Sequence, residues 1–138
     1  LVGILAPQYT KYVEKSRKAA DASNLENLVT AFKTVASDGS EDHVDAGTYE
    51  ITINENGSDI KEIGKAPVNV QNRPGFVSTF ESFVGENWKS DIKLKSKKWT
   101  DADGKKLLTS ISATLLVKND GSVTVTYNPT TIKDQTNQ

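Results

Sequence analysis

The sequence predicts an α+β fold, in which a long N-terminal α-helix packs on an antiparallel β-sheet of about four strands. The first observation is a helical stretch from Gln8 to Ser37 without proline or glycine, which ends in Ser-Asp-Gly. After residue 47, alternating segments are separated by Asn-Gly and Asp-Gly steps typical of hairpin turns. The helical stretch also carries one amphipathic stripe in its second half, made of Leu25, Leu28, Val29, Phe32, Val35 and Ala36.

The chain length suits a single domain, with the long helix over residues 1–37 and a globular head over residues 38–138. At ~1.5 Å per residue, the stretch from Gln8 to Ser37 extends about 45 Å, whereas a domain of this size is roughly 30 Å across. Part of the helix must therefore project from the head. Because the apolar stripe lies in the second half, the N-terminal end is predicted to project. Pro7 is expected to start or kink the helix.

Strands are predicted wherever apolar and polar residues alternate. The candidates are Thr48–Ile53, Ile92–Lys95, Leu107–Lys118 and a last strand containing Val123, Val125 and Tyr127. One face of the sheet is expected to be buried against Leu25, Leu28, Val29 and Phe32 of the helix, and its members are Ile51, Ile53, Ile111, Leu115, Val123 and Val125.

The segment Phe76–Trp88 predicts a short amphipathic helix that packs on the sheet or beside the long helix. Trp88 and Trp99 are expected to be packed, and the polar segment Asn128–Gln138 to be a loosely held tail. The apolar face of the short helix, read as core, is Phe76, Val77, Phe80, Phe83 and Val84.

Two acidic segments resemble metal sites in composition only. Asp101, Asp103 and Gly104 follow the opening of a calcium loop but lack its downstream bidentate acid, so a turn is predicted. The other segment follows the long helix and is interpreted as a solvated loop, because its spacing fits no established set of metal ligands. Its acids and histidine are Asp38, Glu41, Asp42, His43 and Asp45.

The composition favours neither an enzyme nor a nucleic-acid-binding protein. The chain has one histidine, no cysteine and a formal net charge of −1. It contains no glycine-rich phosphate loop, and no catalytic triad can be chosen except arbitrarily. We therefore expect no catalytic residue, no cofactor, no metal and no nucleic-acid partner.

The first twenty or so residues resemble the N-terminal helix of type IV pilins and the related pseudopilins. The matching residues follow the family's order: Gly3, Ile4, Leu5, Ala6, Pro7, Gln8, Tyr9, Tyr12, Lys15, Ser16, Arg17 and Ala19. The resemblance implies that subunits pack through Gly3, Ile4, Leu5, Ala6, Pro7, Tyr9 and Tyr12. Tyr9 and Tyr12 suit that role because tyrosine combines an apolar ring with a polar tip. The basic residues that follow are interpreted as a solvated helix face, with lipid contact as the alternative.

The chain departs from the family pattern at two points. It lacks the family's short opening segment, which bears an acidic residue, and Ala6 is followed directly by Pro7, where pilins carry further apolar residues. We therefore expect an N-terminally shortened form. The absence of cysteine removes the C-terminal disulfide of many Gram-negative pilins and favours a Gram-positive major pilin or another way of holding the C-terminal region.

The function implied by the resemblance is structural. A pilin polymerises through its N-terminal helix into a type IV pilus, an extracellular fibre on the bacterial surface that serves adhesion, motility or aggregation. Its partners would be other pilin subunits, the pilus assembly machinery and, before assembly, the membrane through the missing N-terminal segment. The alternatives are a pseudopilin of a type II secretion system, or a minor or tip pilin that binds a ligand.

Overall fold

The computed structural model describes residues 2–37, 44–65, 67–69 and 71–133, with side chains of the long helix from Tyr9 onward. Over these residues the chain forms one long helix, two short helices and four strands. In chain order these are α1 (Val2–Ala36), β1 (Gly47–Asn54), β2 (Gly57–Glu62), α2 (Pro74–Val84), α3 (Trp88–Asp91), β3 (Ser110–Val117) and β4 (Val123–Asn128).

Helix α1 packs by its C-terminal half on the sheet, which confirms the predicted α+β fold. Its backbone is helical from Val2 onward, so Pro7 does not start the helix, and the alternative, a kink at Pro7, stays a prediction. Pro7 is the sixth residue of α1, so its missing N–H leaves the Gly3 carbonyl oxygen without a helical hydrogen-bond donor. The predicted packing residues Leu25, Leu28, Val29 and Phe32 are all buried in the core.

The four strands form one antiparallel sheet with the order β2-β1-β3-β4. Strands β1 and β2 are joined by a two-residue turn at Glu55 and Asn56, next to the predicted Asn-Gly step. The turn between β3 and β4 closes where Lys118 N donates to the Ser122 carbonyl oxygen, as the Asp-Gly step predicts. The face toward the helices buries Tyr49, Ile51, Ile53, Ile111, Ala113, Leu115 and Val117. Val123 and Val125 are only half-buried, because β4 is an edge strand.

Helix α2 packs beside α1 through a series of ring contacts. The Phe32 ring lies 5.3 Å from the Phe76 ring, and Phe76 stacks on Phe80 at 5.7 Å. The Phe80 ring in turn meets Trp88 at 5.1 Å. Phe83 is predicted to be core, but it is 59% exposed, since it lies in the last turn of α2, beyond the buried Phe76, Val77 and Phe80.

Two other predictions are corrected by the structure. The segment Ile92–Lys95 is not a strand, since its N–H groups bond outside any ladder: Leu94 N donates to the Asn54 carbonyl oxygen, and Lys95 N to a carboxylate of α1. The C-terminal segment is not loose throughout, because Ile132 is fully buried in the core. Residues 134–138 lie outside the described part of the chain.

The aromatic packing gives a first testable prediction. Phe80→Ala removes a buried ring that links Phe76 to Trp88 in this contact series, and it should lower the free energy of unfolding by about 3–5 kcal/mol. Phe83→Ala is the matched control on the same helix and should cost about 1 kcal/mol or less, because that ring is mostly in water. Urea denaturation followed by circular dichroism measures both. Equal losses in the two variants would contradict the packing described.

Candidate subunit-packing site

The N-terminal end of α1 extends beyond the head. Tyr9 and Tyr12 are 71% and 76% exposed, and deep burial of the helix begins at Asp21 and Ala22. Tyr9 precedes Asp21 by about 18 Å along the helix axis, at ~1.5 Å per residue. The two tyrosines are three residues apart and therefore lie on one side of the helix. This projecting end presents large aromatic side chains that the described residues of the head leave uncovered.

The predicted packing residues fall into two groups. Gly3, Ile4, Leu5, Ala6 and Pro7 belong to the helical backbone of α1, and their side chains lie outside the described part of the structure. Tyr9 and Tyr12 are described and stand at the exposed end. Their packing against another subunit stays a prediction.

A buried carboxylate fixes the helix to the head where the exposed end begins. Asp21 is fully buried and accepts three hydrogen bonds from the segment that follows α3. One oxygen accepts from Lys95 N at 2.7 Å, and the other accepts from Ser96 N at 2.9 Å and from Trp99 Nε1 at 2.9 Å. A buried carboxylate is tolerated when several N–H donors replace its water. Asp21 therefore joins α1 to residues 95–99 of the head.

Glu14 makes a second polar contact between the helix and the same segment. The Ser96 hydroxyl donates to Glu14 Oε2 at 2.7 Å, and Arg17 forms an ion pair with Glu14 Oε1 at 3.0 Å. The hydrogen bond from Ser96 is the main cause that lowers the pKa of Glu14 below its ordinary value, and the charges of Arg17 and Lys18 assist. We call Glu14, Asp21, Ser96 and Trp99 the neck cluster.

Basic side chains surround the neck cluster. Arg17, three residues after Glu14, makes the ion pair with that carboxylate. Lys18 instead places its ammonium 5.6 Å from the centre of the Trp99 ring, a cation–π contact. The Trp99 indole therefore contacts the Asp21 carboxylate at its edge and the Lys18 ammonium at its face. Trp99 is buried, as the sequence predicted.

Sequence reasoning did not identify Asp21 or Ser96. The available signal was the position of Asp21, four residues before Leu25 and seven before Leu28, on the buried stripe of the helix. An acid on an otherwise apolar face must find donors when the face is buried. Its donors come from residues 74 to 78 positions later in the chain, which no local pattern could supply.

The acidic segments have no metal-binding geometry in the part of the chain that the structure describes. No three histidine, cysteine, aspartate or glutamate side chains come together there. Asp101 accepts from Lys105 N at 3.0 Å within a tight turn, as predicted. Asp45 pairs with Arg73 at 3.3 Å, and the other members of the first acidic segment, Asp38, Glu41, Asp42 and His43, lie outside the described residues.

Comparison with known proteins identifies no relative of this chain. No family model, curated protein or solved structure matches the chain. Within the described residues, the helices also include none with the length and apolar character needed to cross a bilayer.

Asp21→Asn tests the central contact of the neck cluster. The amide can accept through only one of its two terminal atoms, and its NH₂ group would face an N–H donor. We expect a loss of about 3 kcal/mol in the free energy of unfolding, the scale of a broken bond to a charged buried group. Glu26→Gln also replaces a carboxylate of α1 by an amide, but at an exposed position. It should change the free energy of unfolding by no more than about 0.5 kcal/mol. Urea denaturation compares the two, and equal stability would contradict the role of Asp21.

Ser96→Ala tests the pH dependence of the neck cluster. Because the folded-state pKa of Glu14 is below its unfolded value, its ionised carboxylate contributes stability above the unfolded pKa that is lost as pH falls through the folded pKa. Without the Ser96 hydroxyl, the pKa of Glu14 should rise toward its ordinary value and this acid-sensitive contribution should shrink. Carbon-13 NMR titration of the Glu14 carboxyl measures the shift. Ser90→Ala, at an exposed position of α3, is the control and should leave the pKa of Glu14 unchanged.

Proposed function

We propose that this protein is a structural subunit of a type IV pilus, a pilin that polymerises through its N-terminal helix into a cell-surface fibre. The observation that carries the proposal is the projecting end of α1, which exposes Tyr9 and Tyr12 within the segment that resembles pilins. Exposed apolar and aromatic side chains grouped on one helix end are typical of a surface that a partner covers.

The neck cluster supports the proposal on mechanical grounds. A subunit that polymerises through a helix must hold that helix in one direction relative to its head, because the repeated contact builds a fibre only if every copy has the same shape. The three donors to Asp21 and the bond between Ser96 and Glu14 provide that rigidity next to the exposed end. A heterologous contact repeated without closure then gives a filament.

The partners are other copies of the same subunit and the pilus assembly machinery, with the membrane as the location before assembly. The assembled protein lies outside the cell, where the fibre serves adhesion, motility or aggregation. The role is structural rather than catalytic.

The proposal predicts that the protein forms long filaments on cells of its source organism. An antibody raised against the head should label such filaments along their whole length in negative-stain electron microscopy. Labelling confined to filament tips would indicate a minor pilin instead. A signal that depends on a secretion system, without surface filaments, would indicate a pseudopilin.

A matched pair of variants tests the projecting end. The double change Tyr9→Ser and Tyr12→Ser should abolish or greatly shorten the filaments, because it removes aromatic contact area and leaves the head unaltered. Leu107→Ser changes another apolar side chain, which is 60% exposed on the head, and should leave filaments intact. Circular dichroism melting of each purified variant checks that the head stays folded. Filaments of normal length and number in the tyrosine variant would contradict the proposed packing.

A further inference from the structure

The turn between β1 and β2 contains a reactive pair of neighbours, Asn56 and Gly57. Asn56 is exposed, and it is the one asparagine of the sequence that a glycine follows. Because glycine has no Cβ, no side chain of residue 57 shields its main-chain nitrogen or restricts its rotation toward the preceding side chain. The Gly57 nitrogen can therefore approach the side-chain carbonyl carbon of Asn56.

Packing against α3 requires glycine at position 57. Its φ of +152° lies in the region that favours glycine, and a Cβ at this position would collide with the Lys89 carbonyl oxygen. The neighbouring Ser58 hydroxyl donates to the Ile92 carbonyl oxygen at 2.6 Å, which holds the strand against this part of the head. The contact between β2 and α3 thus fixes a glycine directly after Asn56.

The Asn54 side chain holds the attacking nitrogen in the folded turn. Its Oδ1 accepts from Asn56 N at 2.8 Å and from Gly57 N at 3.1 Å, as asparagine often does in turns. The main-chain oxygen of Asn54 accepts from Leu94 N at 2.9 Å, which fixes the position of residue 54. Before the Gly57 nitrogen can attack, it must lose its proton and turn toward Asn56. Both changes require that its hydrogen bond to Asn54 break.

We propose that Asn56 is a site of spontaneous deamidation, and that Asn54 is a positioning residue that sets its rate. The reaction begins when hydroxide removes the proton from Gly57 N. This nitrogen attacks Asn56 Cγ, so that a Cγ–N bond forms and the Cγ–Nδ2 bond breaks, and the amide group takes a proton from water and leaves as ammonia. Water then opens the succinimide ring at Cγ to give aspartate, or at the main-chain carbonyl carbon of residue 56 to give isoaspartate.

The isoaspartate product alters the contact between the hairpin and α3. Its main chain passes through the side-chain carboxyl carbon, which adds one methylene group to a turn that pairs Asn54 with Gly57. The added length displaces Gly57 from its close packing on Lys89 and strains the hydrogen bond that Ser58 donates. Deamidation also places a new negative charge beside Glu55. The inference does not depend on the proposed function.

The same residues have the form of an N-glycosylation acceptor, Asn56-Gly57-Ser58. That modification requires an enzyme that recognises the serine hydroxyl. In the folded chain, Ser58 is 7% exposed and its hydroxyl donates to the Ile92 carbonyl oxygen. Deamidation needs only Asn56, Gly57 and water, so the folded turn favours it over glycosylation.

Incubation of the purified full chain at mildly alkaline pH tests the site. One sample is kept folded and a second is unfolded in guanidinium chloride, and peptide mapping by mass spectrometry follows the conversion of each asparagine to its acid. In the unfolded chain, Asn56 should convert before the other asparagines. In the folded chain its conversion should be slower, because the hydrogen bond to Asn54 is then formed.

Two variants at position 54 test the positioning role. Asn54→Ala removes the acceptor and should speed the conversion of Asn56 in the folded chain about two- to tenfold, the range that corresponds to loss of one hydrogen bond. Asn54→Asp keeps an acceptor oxygen at the same place and should hold the rate at or below that of the unchanged chain. Circular dichroism checks that each variant is folded.

Each outcome decides one part of the inference. If another asparagine converts first in the unfolded chain, Asn56 is not the reactive site. Equal rates in the folded and unfolded chain would overturn the role of Asn54, as would a folded Asn54→Ala variant that reacts no faster. The comparison of folded with unfolded chain needs no substitution, so it remains decisive if Asn54→Ala does not fold.

Discussion

The buried carboxylate of Asp21 is the contact on which the rest of the architecture depends. It lies on the stripe of α1 that faces the head, and its three donors come from a segment without regular secondary structure. Removing an acid from water is costly unless donors replace the lost hydration, so helix and segment must order together. The hydrogen bonds to Asp21 order residues 95–99 of the head. They also fix the direction of α1 relative to the head at the point where the exposed N-terminal part of the helix begins.

The head contains no cysteine, and its elements are joined by aromatic packing and by a buried residue after the last strand. The rings of Phe32, Tyr49, Phe76, Phe80 and Trp88 form a continuous series that joins α1, β1, α2 and α3. Ile132, after the last strand, is buried in the same core. The cysteine-free chain thus closes its C-terminal region by burial of an apolar side chain, which holds the edge strand β4 against the sheet without a covalent link.

Sequence periodicity predicted the elements that depend on neighbouring residues. It did not predict the features that depend on contacts between residues far apart in the chain. The stripe through Leu25 and Phe32 and the turns at Asn-Gly and Asp-Gly steps follow from residue order alone. Ile92–Lys95 alternates like a strand, yet its N–H groups bond to Asn54 and Asp21, which lie elsewhere in the chain. Phe83 fits a helical stripe, but α1 covers only part of that stripe, and the extent of coverage is a tertiary property. The exposed tyrosines were predictable because a helix longer than its domain must leave one end uncovered.

The position of Asp21 also divides α1 into parts with different chemistry. Before Lys11 the helix carries no charge, from Lys11 to Lys18 it is mainly basic, and from Asp21 onward one face is buried while another stays uncharged and open. A helix that served only as a core element would not need an uncharged, aromatic end about 18 Å beyond its anchor. Such an end costs solubility in an isolated subunit, since apolar side chains remain in water. Under the proposed function, a neighbouring copy would remove this end from water without any change in the fold of the head.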